Sequence, residues 1–186
     1  MDRFPNGIPP PDRRKPKLPY RRGLKVQITR HIPPPPFGHG YVREATRRGL
    51  LSFNELAKYP TASQYCLENP YPSTEPHPNK TVHTLEIVDV IAAEDGRGPQ
   101  LVACRLHYDI GPLFVAKIYD PLYYDWFSCD NIWLADYEYS REAAAYARAE
   151  QAGIDGVYIP EYHGCWVFSM PFLGKPVATR EVRMIL

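Results

Sequence analysis

The sequence predicts an α+β body over residues 81–186, a five-stranded antiparallel sheet with one main helix, preceded by a proline-rich, largely disordered N-terminal arm. Three observations predict it. Fifteen of the 21 prolines lie before residue 81. Beyond that point, apolar and β-branched runs alternate with Gly/Pro turns. One alanine-rich stretch, 136–152, has the residues that start, favour and end a helix.

The arm comes first. Residues 1–40 hold ten prolines, including the runs 9–11 and 33–36. Proline fixes φ and removes an amide donor, so disorder or polyproline II is expected there. Leu24 to Ile28 reads as a short extended segment within it. Residues 41–59 read as a weak helix interrupted by Gly49, and 60–80 as a linker. The domain division is thus 1–80 for the arm and linker and 81–186 for the folded body.

In the body, 82–92 reads as a first strand and 100–108 as a second, joined by a turn through Gly96 and Gly98. A turn at 109–112 leads to a third strand, 113–119. These short links suit an antiparallel meander. The helix 136–152 follows, with Asp136 as its cap and Gly153 at its end. Residues 157–170 turn at Pro160 and continue as a fourth strand, and 182–186 forms a fifth.

Charge divides the chain in the same place. Residues 1–80 carry 14 Lys+Arg against 6 Asp+Glu, a net of +8; residues 81–186 carry 8 against 15, a net of −7. A basic arm precedes an acidic body. Cys66, Cys104, Cys129 and Cys165 show no paired spacing for zinc, so free thiols and no metal site are expected. His107 and His163 lack a partner nucleophile and read as structural. No apolar run approaches membrane-spanning length. An intracellular protein, cytoplasmic or nuclear, is expected. Aromatic residues are sparse among the basic clusters Arg13-Arg14-Lys15 and Arg21-Arg22, so no specific nucleic-acid partner is expected.

The chemistry centres on Lys117, at the end of a strand run, and Glu142, 25 residues later inside the helix, with Glu138 and Glu150 as rival partners for the lysine. A strand lysine held by a helix glutamate is an arrangement that grips nucleotide phosphates. Gly96 and Gly98 would let backbone amides approach phosphate oxygens. With the stretches LFVAKIYDPLYY, DYEYSREAAAYARAE and GVYIPEYHGCWVF, residues 84–186 resemble the N-terminal lobe of the protein kinase-like superfamily. The resemblance is to a fungal branch related in style to aminoglycoside phosphotransferases, and it covers one lobe and about half of the chain. It implies that Lys117 contacts the α/β-phosphates, that Glu142 holds it, that Gly96 and Gly98 form the phosphate loop, and that Val115 stands where the family has a small residue over adenine. The sequence departs from the pattern: the glycine loop keeps two glycines, and neither a His-Arg-Asp loop nor an Asp-Phe-Gly motif occurs.

The resemblance therefore implies an incomplete, pseudokinase-like domain or a fragment of a longer reading frame. It would have no catalytic residues, weak or no ATP binding, and no Mg²⁺ site. The alternative is a protein-interaction module. It would use the face that a C-lobe-like partner normally covers, with the proline run engaging an SH3- or WW-type domain.

Overall fold

Alternation of side chains across each strand builds a wall with an apolar inner face. β1 (Lys25–Arg30) buries Ile28, and β2 (His83–Ala92) buries Leu85 and Ile87. β3 (Gln100–Leu106) contributes Val102 and Cys104, and β4 (Phe114–Tyr119) contributes Ala116 and Ile118. β5 (Cys165–Pro171) adds Trp166, Phe168 and Met170, and β6 (Thr179–Ile185) adds Val182 and Met184. The computed structural model describes residues 10–41, 49–106 and 111–186.

These strands form a closed barrel in the order β1-β2-β3-β4-β6-β5, with every neighbouring pair antiparallel. β1 is the closing strand. Its first part pairs with β2, from Lys25↔Glu86 to Ile28↔His83, and its last two residues pair with β5 as Thr29↔Val167 and Arg30↔Trp166.

This closure corrects the sequence-based fold. The expected open five-stranded sheet with one helix is a closed six-stranded barrel with three helices among the described residues. The arm, expected to be largely disordered, supplies β1 and places Tyr20, Pro34 and Phe37 in buried positions. The kinase N-lobe resemblance falls with the open sheet. So do the readings that depended on it: an incomplete kinase-like domain, a pseudokinase with residual ATP binding, and an interaction module built on a bare lobe face. The apolar sheet face they would leave uncovered is the inside of the barrel, and its residues are buried there.

Three helices decorate the barrel. α1 (Phe53–Leu56) is one turn, fixed by a capping box between Ser52 and Glu55. α2 (Ala62–Glu68) is capped by Thr61 and buries Tyr65 and Cys66. Together they extend the barrel core outward, where Tyr65 lies 4.9 Å from Trp126 between ring centroids. Residues 42–48 of the helix expected at 41–59 lie outside the described residues.

α3 (Asn131–Gln151) is the long helix. It starts earlier than the sequence suggests, because Asp130 is its cap and accepts the Trp133 amide at 3.0 Å. Asp136, the expected cap, lies a turn and a half inside the helix and bonds the buried Arg183. Gly153, at φ +65, ends it. Ile132, Ala135, Tyr139 and Ala143 form its buried stripe. Tyr139 and Ala143 pack on Tyr119, Cys165 and Ile185 of the outer barrel wall, making a second, smaller core.

Two buried ion pairs pin the layers. Asp120, fully buried after β4, accepts two bonds from Arg180 of β6 at 2.8 and 2.7 Å and one from the Tyr20 hydroxyl at 2.5 Å. Arg183 bonds Asp136 of α3 and lies 3.9 Å above the Tyr71 ring. Burial works against the charge of both guanidinium groups. Asp120 and Asp136 nevertheless hold their pKa values above the ordinary arginine range.

Ile28 has no exposed surface and sits on the strand that closes the barrel. Ile28→Ala is therefore expected to cost about 2–5 kcal/mol in urea unfolding. Ser169→Ala, at an exposed position of β5, is expected to change stability by no more than about 0.5 kcal/mol.

Candidate functional site

A cleft of about 810 Å³ runs between the outer barrel wall and α3. Helical spacing brings Tyr137, Glu138, Arg141, Glu142 and Ala145 onto one side of α3. The facing wall is Leu101 of β3, Lys117 of β4, and Arg97 and Pro99 of the β2–β3 turn; Tyr41 borders it from the arm. Ala116 and Ile118 of β4 face the barrel interior, so Lys117 between them projects outward to the helix.

Lys117 Nζ lies 2.5 Å from Glu142 Oε2, and the Tyr119 hydroxyl donates to the same oxygen at 2.7 Å. The pair is about a third exposed on each side, so it contributes only about 0–1 kcal/mol. Its effect is to fix a lysine on the cleft floor with its charge already compensated. Burial raises the Tyr119 pKa, and the Glu142 carboxylate raises it further, so this tyrosine stays a donor.

Glu138 is held differently. Burial pushes its pKa up from the ordinary carboxylate value, against the Tyr124 hydroxyl, which donates to it at 2.9 Å, and the charge of Lys117. Arg141 donates to the Tyr137 hydroxyl at 2.6 Å and to the His39 carbonyl at 3.2 Å. Its guanidinium carbon lies over two rings, 4.8 Å from the Tyr41 centroid and 4.7 Å from that of Tyr137. Arg97 is exposed at the tip of the β2–β3 turn. Neither Arg97 nor Arg141 has a carboxylate partner among the described residues, whereas Arg180 and Arg183 both do.

The structure thus brings Lys117 and Glu142 together. Val115, 55% exposed on β4, lies beyond Lys117 and lines an adjoining cavity. Gly96 and Gly98 adopt positive φ in the β2–β3 turn but do not line the cleft. The Gly96 amide donates to the Tyr123 carbonyl at 2.9 Å, and the Arg97 amide to the Glu94 carbonyl at 3.3 Å. Gln100 clamps the turn from below, donating to the Glu94 and Gly98 carbonyls and accepting from the Glu94 amide. What this turn presents to the cleft is therefore a guanidinium rather than a nest of open amides.

Sequence reasoning missed Arg97, Arg141, Tyr41 and Tyr137 as site residues. Two signals could have found them: an arginine lifted between two positive-φ glycines, and a Tyr137/Arg141 pair at i,i+4 on the face that carries Glu142. Among the histidines, His163 lines an adjoining cavity, its ring edge-on to Phe114 and its Nε2 3.9 Å from Glu161 Oε2, while its amide donates to the Leu186 carbonyl at 2.7 Å; His107 lies outside the described residues. Cys66, Cys104, Cys129 and Cys165 are free thiols, and burial raises the pKa of Cys104 to about 12. No group of three or more His, Cys, Asp or Glu that could hold a metal ion occurs among the described residues.

Comparison with protein-family models, with curated proteins and with solved structures finds no match.

Because the folded chain holds the Glu138 proton more tightly than the unfolded chain, it binds more protons in the window above the ordinary value of 4.5. The resulting penalty on stability is absent below that value and grows as pH rises through the raised pKa. Glu138→Gln keeps an acceptor for Tyr124 and removes the penalty. Melting curves between about pH 4 and about pH 8 should show the variant more stable than wild type at neutral pH, with the gap closing toward acid pH.

Proposed function

We propose that this chain is a binding protein for a small molecule bearing an anionic group, phosphate or carboxylate, taken up in the cleft between the barrel and α3. The observation that carries this reading is the pairing pattern of the arginines. Arg97 and Arg141 line one cleft without a carboxylate partner among the described residues. The same cleft holds Lys117, whose charge Glu142 balances, and Glu138, whose burial disfavours its charged form. The cleft therefore has positive charge to spare. Guanidinium groups fit the planar, two-oxygen edge of carboxylate and phosphate.

Local rigidity supports the reading. The Arg141 guanidinium lies over the Tyr41 and Tyr137 rings and bonds the Tyr137 hydroxyl, and α3 and the barrel are fixed to each other by the Arg183–Asp136 pair. A donor held in place loses little entropy when it binds an anion.

Thermal unfolding with inorganic phosphate, or with acetate, tests this against chloride at matched ionic strength. At about ten times Kd, stabilisation of about 1.4 kcal/mol is expected, a rise of about 3–5 °C. Arg97→Ala and Arg141→Ala should each weaken the response, and the double variant should abolish it. A wild-type protein that responds to neither anion beyond chloride would overturn the reading.

A further inference from the structure

The cleft does not end at Lys117. A second cavity of about 520 Å³ continues along the same groove and shares Leu101, Lys117 and Glu142 with the first. On the far side of the Lys117–Glu142 pair the lining changes character. Leu113 and Val115 face solvent at 58% and 55% exposure, beside Phe114 and Tyr146. Glu161 and His163 border this end; the Glu161 carboxylate is largely exposed and lies 3.9 Å from His163 Nε2. One trough thus has a guanidinium-lined end and an apolar end, with a neutralised ion pair at its waist.

We infer that the ligand is an amphipathic anion, its charged head at Arg97 and Arg141 and an alkyl or similar apolar group lying over Val115 and Leu113. The inference rests on the anion-binding reading and adds the rest of the molecule to it. Charge sets the direction: the unbalanced arginines attract the head at one end, and the other end is mainly apolar, with no guanidinium and with Glu161 and His163 side by side at its border. Lys117 and Tyr119 both donate to Glu142 Oε2 at the waist, so a chain crossing there meets a carboxylate whose charge the lysine already balances. Covering exposed aliphatic side chains then favours binding by about fourfold for each methylene removed from water, until the cavity is filled.

Isothermal titration of the whole chain with inorganic phosphate, methyl phosphate and octyl phosphate tests this, with acetate and octanoate in parallel to tell a phosphate head from a carboxylate head. The readout is the ratio of affinities between long and short members of a series. In the wild type each added methylene should tighten binding about threefold to fourfold in the series whose head is bound. In Val115→Asn, and separately in Leu113→Asn, that ratio should fall toward one; both positions are exposed, and a melting curve checks that each variant folds. A wild-type ratio near one, with the parent anion still bound, overturns this inference and leaves the anion reading intact. A high ratio that neither variant lowers also overturns it. Absence of any anion binding by the wild type overturns both together.

Discussion

β1 hydrogen-bonds on both of its edges, to β2 along its first part and to β5 at its last two residues. Everything else in the molecule depends on that double pairing. Without it the remaining strands would form an open sheet with β2 and β5 at its edges, and the apolar face would lie open to solvent. With it, the face becomes an interior, and Ile28 of β1 joins Leu85, Phe168 and Met184 in one core. A barrel has no free edge, so the outer wall becomes the surface on which other layers are laid.

The fold places a buried ion pair on each face of β6, with Arg183 facing outward and Arg180 on the inner face that carries Val182 and Met184. Arg183 reaches from β6 to Asp136 on α3, and Arg180 reaches from β6 to Asp120 after β4. Each pair is almost wholly out of water, so each guanidinium and carboxylate must find its partners within the protein. The Tyr20 hydroxyl adds a further bond to Asp120, and the Tyr71 ring lies over Arg183. These contacts fix the register between the helix and the barrel. They also tie in residues from the proline-rich arm, which is why that arm is part of the structure. Phe37 makes the same point: it is buried against Trp133 and Tyr137 of α3, with ring centroids 5.6 and 5.8 Å away.

A helix fixed against a wall leaves a groove of defined width beside it. Lys117 and Glu142 bridge that groove, and their mutual compensation makes the bridge nearly neutral. The polarity of the site is therefore set by groups on either side of it, Arg97 and Arg141 at one end and Val115 and Leu113 at the other. The pair that sequence reading placed at the centre of the chemistry sits at the centre of the groove, while the unbalanced charge comes from two arginines, one on a turn and one on the helix, that the fold brings to one end of it.

The sequence by itself determined the short-range features. Apolar alternation over 83–92, 100–106 and 114–119 writes strands, alanine content writes α3, and Gly153 at positive φ writes its end. Only the tertiary structure decided that Lys25–Arg30 would close a barrel, since six residues in a proline-rich arm carry no record of which distant edges they will meet. It also decided that Asp130 rather than Asp136 caps α3, because Asp136 is drawn to Arg183, 47 residues away in the chain. The same holds for Arg97 and Arg141, one on a turn and one on a helix. Periodicity and turn chemistry are properties of neighbours, whereas pairing of edges and charges depends on which surfaces the folded chain brings together.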